Sequence, residues 1–102
     1  MQHLVIEFQH RIEDVIPYCE FIKMLRPQLE KGGFGSYVGD DMAIDGGDAE
    51  ATFVGGDARK LFNFVAPQLE TLPFMSGAKI TLVFGPLESG AEECTFNLNK
   101  LP

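Results

Sequence analysis

An α+β sandwich of the ferredoxin-like type, βαββαβ with one added C-terminal strand, is the fold this sequence predicts. Three observations predict it. The tetrapeptide Pro-Gln-Leu-Glu occurs at Pro27–Glu30 and again at Pro67–Glu70. Each copy closes an apolar stretch of helical period, and a shift of 40 residues lays Phe21, Ile22, Leu25 and Leu29 on Leu61, Phe62, Val65 and Leu69. Around these stretches lie short segments in which apolar and polar residues alternate, the period of a strand with one face buried. The order is strand, helix, strand, strand, helix, strand, then one further strand. Two split β-α-β halves in that order make an antiparallel sheet with both helices on one face.

The elements follow from local chemistry. Leu4, Ile6 and Phe8 alternate with Val5, Glu7 and Gln9, a first strand over residues 3–9. Asp14 and Pro17 supply helix-start chemistry, and Phe21, Ile22, Leu25 and Leu29 form a stripe over Pro17–Lys31 that ends at Gly32-Gly33. Phe34–Val38, extending toward Ile44, reads as the second strand, and Ala49–Val54 as the third. Asp45-Gly46-Gly47-Asp48 is the turn between them. Asp57 caps a second helix over Ala58–Leu72. Ala78–Phe84 is a strand with Ala78, Ile80, Leu82 and Phe84 inward, and Cys94, Phe96 and Leu98 mark its hairpin partner. Pro27 and Pro67 each remove a backbone donor inside a helical stripe, which predicts a kink or an end to the helix at each. The outward positions, Glu7, Gln9, Glu50, Thr52, Lys79, Thr81, Glu93, Thr95 and Asn97, predict a polar open face.

The 102 residues form one predicted domain, 1–102, long enough to fold on its own core without metal or disulfide. Nine Phe against two Tyr and no Trp place most aromatics in that core. The net charge is −7, from 15 acidic and 8 basic residues. Such a chain repels phosphate backbones, and Glu7, Glu50 and Thr52 stand where ferredoxin-like RNA binders display stacking aromatics. Nucleic acid is therefore excluded as a partner. No apolar run reaches the length of a membrane span, and no signal peptide is evident. Cys19 and Cys94 read as free, inert core thiols, Cys19 on or beside the first helix stripe and Cys94 on an inner strand face, in a reducing cytoplasm.

Tests for catalytic sets come out negative. After the first strand stands Gln9-His10-Arg11-Ile12-Glu13, with an arginine but none of the glycines of an acylphosphatase-type cradle. Asp41 as first ligand of a calcium loop puts Asp45 at five and Gly46 at six, but Ala43 at three and Thr52 at twelve. His3 and His10 complete no zinc set. Gly32-Gly33-Phe34-Gly35 follows a helix instead of opening one, so it is no phosphate loop. No cofactor or metal is expected, and no enzymatic activity. The stretches Gly35–Asp41, Ala51–Phe62 and Gly77–Gly85 resemble small bacterial α+β proteins and bring no catalytic residues with them.

The functional expectation rests on charge. Asp40, Asp41, Asp45, Asp48, Glu50 and Asp57 crowd one segment and form a candidate protein-binding surface for a basic partner, as in an immunity or antitoxin-type inhibitor. Turn formation by Asp45 and Asp48 and helix capping by Asp57 are the structural alternatives. A regulatory domain that binds a small ligand and pairs with a second copy through its sheet or edge strand is the other functional reading. The effector would bind at that junction, a site that the glycine-rich turns at Gly32–Gly35 and Gly55–Gly56 would suit.

Overall fold

A computed structural model describes residues 1–9, 16–42, 48–72, 75–87 and 89–98, without the side chains of Gln9, Met42 and Asp48. It is an α+β structure of one five-stranded antiparallel sheet and two helices. In chain order these are β1 (Gln2–Gln9), α1 (Ile16–Gly32), β2 (Ser36–Met42), β3 (Asp48–Gly55), α2 (Ala58–Leu69), β4 (Lys79–Val83) and β5 (Glu93–Asn97). The strands lie side by side as β2-β3-β1-β4-β5, and every neighbouring pair is antiparallel. Thus β3 separates β1 from β2, and β1 separates β3 from β4.

The helix ends depart from the predicted bounds for identifiable reasons. α1 runs through Pro27 and closes in a Schellman motif. Gly33, at φ +70°, donates to the Glu30 carbonyl at 3.2 Å, and Phe34 N–H donates to Leu29 at 3.0 Å. Phe34 is thereby spent on the helix cap and stacks on Phe64, so β2 begins at Ser36 instead. α2 starts as predicted, with the Asp57 carboxylate accepting from the N–H groups of Arg59 and Lys60. It stops at Leu69, three residues early. Past Pro67 the hydrogen bonds tighten to three-residue spacing, Thr71 to Gln68 and Leu72 to Leu69. The two helix ends meet through the repeated tetrapeptide, where Gln68 Nε2 lies 3.5 Å from Gln28 Oε1.

The core lies between the helices and one face of the sheet. Leu4, Ile6 and Phe8 of β1, Ala49, Ala51 and Phe53 of β3, and Ile80 and Leu82 of β4 bury against Phe21, Ile22, Leu25 and Leu29 of α1 and Leu61, Val65 and Leu69 of α2. Each large aliphatic or aromatic side chain buried there contributes roughly 1.5–3 kcal/mol. The predicted stripes are buried except at Phe62, which is half-buried and meets the Phe96 ring edge-on, and they are extended one turn by Tyr18 and Ala58. Cys19 departs from its expected place: it is exposed, because Tyr18 takes the inward position at that turn. Cys94 is half-buried against the core, and neither cysteine is in a disulfide. β2 and β3 start and end in close backbone contact at Gly35 and Gly55. A Cβ at Gly35 would run into the Val54 carbonyl oxygen, and one at Gly55 into that of Phe34.

Candidate functional site

The face of the sheet opposite the helices reads off the strand register in rows. One row runs Asp41, Glu50, Glu7, Lys79, Asn97 across β2, β3, β1, β4 and β5. The next runs Gly39, Thr52, Val5, Thr81, Thr95, and the third Ser36, Val54, His3, Val83, Glu93. The face is thus less uniformly polar than predicted, with Val5 and Val54 half-buried and Val83 buried among its polar residues. His3 Nδ1 lies 3.1 Å from the Gly85 carbonyl oxygen, beside Val83. The Thr81 and Thr95 hydroxyls are 3.3 Å apart.

The acidic end of this face is built at a cost. Asp41 lies directly across from Glu50, and Glu50 directly across from Glu7. Like charges in such positions destabilise a sheet by several tenths of a kcal/mol per pair, up to about 1 kcal/mol. One counter-charge stands in the row: Lys79 Nζ lies 3.6 Å from Glu7 Oε2, with both side chains about half exposed. That bridge is a weak, solvent-screened one.

A second feature lies on the helix side, between α1 and the outer strand β2. It is an open groove of about 480 Å³, walled by α1 residues from Tyr18 to Glu30 and by Tyr37 and Asp40 of β2. A bulge makes it. The register between β2 and β3 shifts between Tyr37 and Gly39, leaving Val38 as the extra residue. Three residues apart on a regular strand, Tyr37 and Asp40 would face opposite ways. With Val38 extra, Tyr37 lies across from Phe53 and Asp40 across from Ala51, both core-side positions. The Tyr37 hydroxyl then donates to Asp40 Oδ2 and accepts from the buried Tyr18 hydroxyl at 3.0 Å. Burial, then the bond to Tyr37, pushes the Tyr18 phenol well above its ordinary range. Burial, then the bond to Asp40, raises Tyr37 to about 12. The Arg26 guanidinium sits 5.7 Å from the Tyr37 ring centroid, and the exposed Cys19 thiol lines the same groove.

The six acidic candidates are therefore dispersed. Asp41 and Glu50 stand together on the open face, and Glu7 joins them there. Asp40, next in sequence to Asp41, belongs to the helix side. Asp57 caps α2 beyond the far end of β3, some ~17 Å along the strand from Glu50 at 3.3–3.4 Å per residue. Asp48 pairs in register with Gln9. Asp45 and the middle of the calcium-loop candidate Asp41–Thr52 fall at 43–47, and His10 and Asp14 at 10–15, outside the described residues, while the two ends of that candidate, Asp41 and Thr52, lie in β2 and β3. Among the described residues no three His, Cys, Asp or Glu side chains stand close enough to hold a metal ion. No described helix is long and apolar enough to cross a membrane. Sequence reasoning missed the Tyr18–Tyr37–Asp40 chain, for which the isolated Gly39 inside a predicted strand was the available signal of a bulge.

Comparison with known proteins supplies no relative: no family model matches the chain, and neither a curated protein nor a solved structure does so.

Proposed function

We propose that this chain is a ferredoxin-like, non-enzymatic interaction module whose open sheet face takes a basic protein partner, in the manner of an immunity or antitoxin-type inhibitor. The ferredoxin-like reading is supported by the strand order, since each β-α-β half is split by one strand of the other and β5 adds to the β4 edge by a hairpin. The functional reading rests chiefly on the carboxylate row Asp41–Glu50–Glu7. Two adjacent like-charge pairs on a bare face oppose folding, and a cationic partner converts that repulsion into attraction on docking. The overall charge of −7 adds long-range steering to the same end. Two thiols outside any disulfide suit a cytoplasmic setting.

A decalysine peptide is a sufficient probe for the electrostatic core of this reading. Titrated into the isotopically labelled protein, it shifts the amides around Asp41, Glu50 and Glu7, and the shifts fade between about 20 mM and about 300 mM salt as screening shortens. The triple change Asp41→Asn, Glu50→Gln, Glu7→Gln abolishes them. Binding that ignores both salt and these three substitutions would sink the proposal.

A further inference from the structure

The outer edge of β2 and the groove beside it form one continuous feature. β2 ends the sheet, and among the described residues no strand pairs with its outer side. α1 overhangs that edge, leaving the 480 Å³ groove between Ile22, Arg26 and Pro27 above and Tyr37 and Asp40 below. We infer that this edge takes an extended cationic segment of the basic partner, added as a further strand beside β2 with alternate side chains in the groove. This deepens the proposed function and rests on it.

The occupant is specified by charge and by the two-residue period of a strand. Residues of an added strand point alternately to the open face and to the groove. On the open side the neighbour is Asp41, with Glu50 one strand further in. At 4.7–4.9 Å between strands, a lysine or arginine beside Asp41 reaches both carboxylates. On the groove side Lys23 and Arg26 are offset by Glu30 and Asp40, and the Asp40 carboxylate already accepts from Tyr37. That side favours an apolar side chain against Ile22, Pro27 and the Tyr37 ring. The matching segment therefore alternates basic and apolar residues. β2 itself carries Asp40 and Asp41 and no basic residue, and Val38 bulges at 59% exposure. Such a bulged, acidic edge deters pairing with neutral strands, and a second copy would bring two more aspartates to it. A cationic strand escapes the charge penalty and has only the bulge at Val38 to accommodate.

Cys19 is a built-in reporter, being exposed and on the groove wall. The test uses the full chain carrying Cys94→Ser and a capped peptide of about eight alternating Lys and Leu residues, a typical strand length. The peptide is expected to slow alkylation of Cys19 by about tenfold and to shift the β2 amides. Prior coupling of a bulky maleimide to Cys19 lowers its affinity by about tenfold, while decalysine binding to the open face survives. A peptide with Glu in place of Lys, or with a central Pro, does not bind. Binding of the Lys-Leu peptide without Cys19 protection or β2 shifts would overturn strand addition while leaving the basic-partner reading standing. So would protection of Cys19 by the Glu or Pro peptide. Loss of decalysine binding in wild-type protein at low salt would remove both.

Discussion

Tyr37 is the residue on which the groove turns. Its ring tilts on Phe53 at a centroid distance of 5.4 Å, and its hydroxyl joins a buried phenol to an exposed carboxylate. Tyr37→Phe leaves the Tyr18 hydroxyl buried without that acceptor and should cost about 1–3 kcal/mol. Tyr18→Phe leaves Tyr37 bonded to Asp40 and should cost less, about 0.5–1.5 kcal/mol. Denaturant midpoints of the two variants check the order. Because the chain has two tyrosines, alkaline titration isolates them. Both hold their protons more tightly folded than unfolded. Their contribution to stability is complete below pH 10.0, the ordinary value; that of Tyr37 is lost as pH rises through about 12, its folded value, and that of Tyr18, raised further, persists beyond it. Tyrosinate absorbance should therefore stay low at pH 10.0 in folded protein and appear there once denaturant unfolds it.

At the scale of elements, the helix termini are where local chemistry decided most. The Asp57 cap satisfies two N–H groups of α2 at 3.0 and 3.2 Å, and Ala58 N–H donates to the Gln2 side chain at 2.8 Å. Asp57→Ala should lower stability by about 0.5–2 kcal/mol, read by thermal or denaturant unfolding. It should leave decalysine binding unchanged, because Asp57 lies far from the Asp41–Glu50–Glu7 row. The prolines show the limit of propensity. Both helices continue past Pro27 and Pro67, since the apolar positions at Leu29 and Leu69 remain buried on the sheet. Tertiary packing there outweighs the lost donor, though α2 survives it by only two residues.

For the molecule as a whole, charge and stability pull apart. Glu50 faces a carboxylate on each side, so Glu50→Gln should stabilise the fold, by about 0.2–1 kcal/mol at low ionic strength. The gain should shrink as added salt screens the row, and the same change should weaken binding of a basic probe. A denaturation series across salt concentrations, run beside the binding titration, checks both. A loss of stability in Glu50→Gln would mean the carboxylate serves the fold and not a partner.

The sequence by itself determined the elements, their order and the inward faces of β1 and β3 and most of those of the helices, because a buried stripe of period 3.6 or 2 is written directly in residue spacing and the repeated Pro-Gln-Leu-Glu aligned the two helices. It also placed Glu7 and Glu50 outward, though only pairing across strands made them neighbours. The tertiary structure alone decided the groove. One extra residue at Val38 turned Tyr37 and Asp40 to the same side, and Tyr18 displaced Cys19 from the interior. Both depend on which backbone lies alongside β2 and α1, and register between distant segments is set by the packing of the whole sheet, not by local spacing.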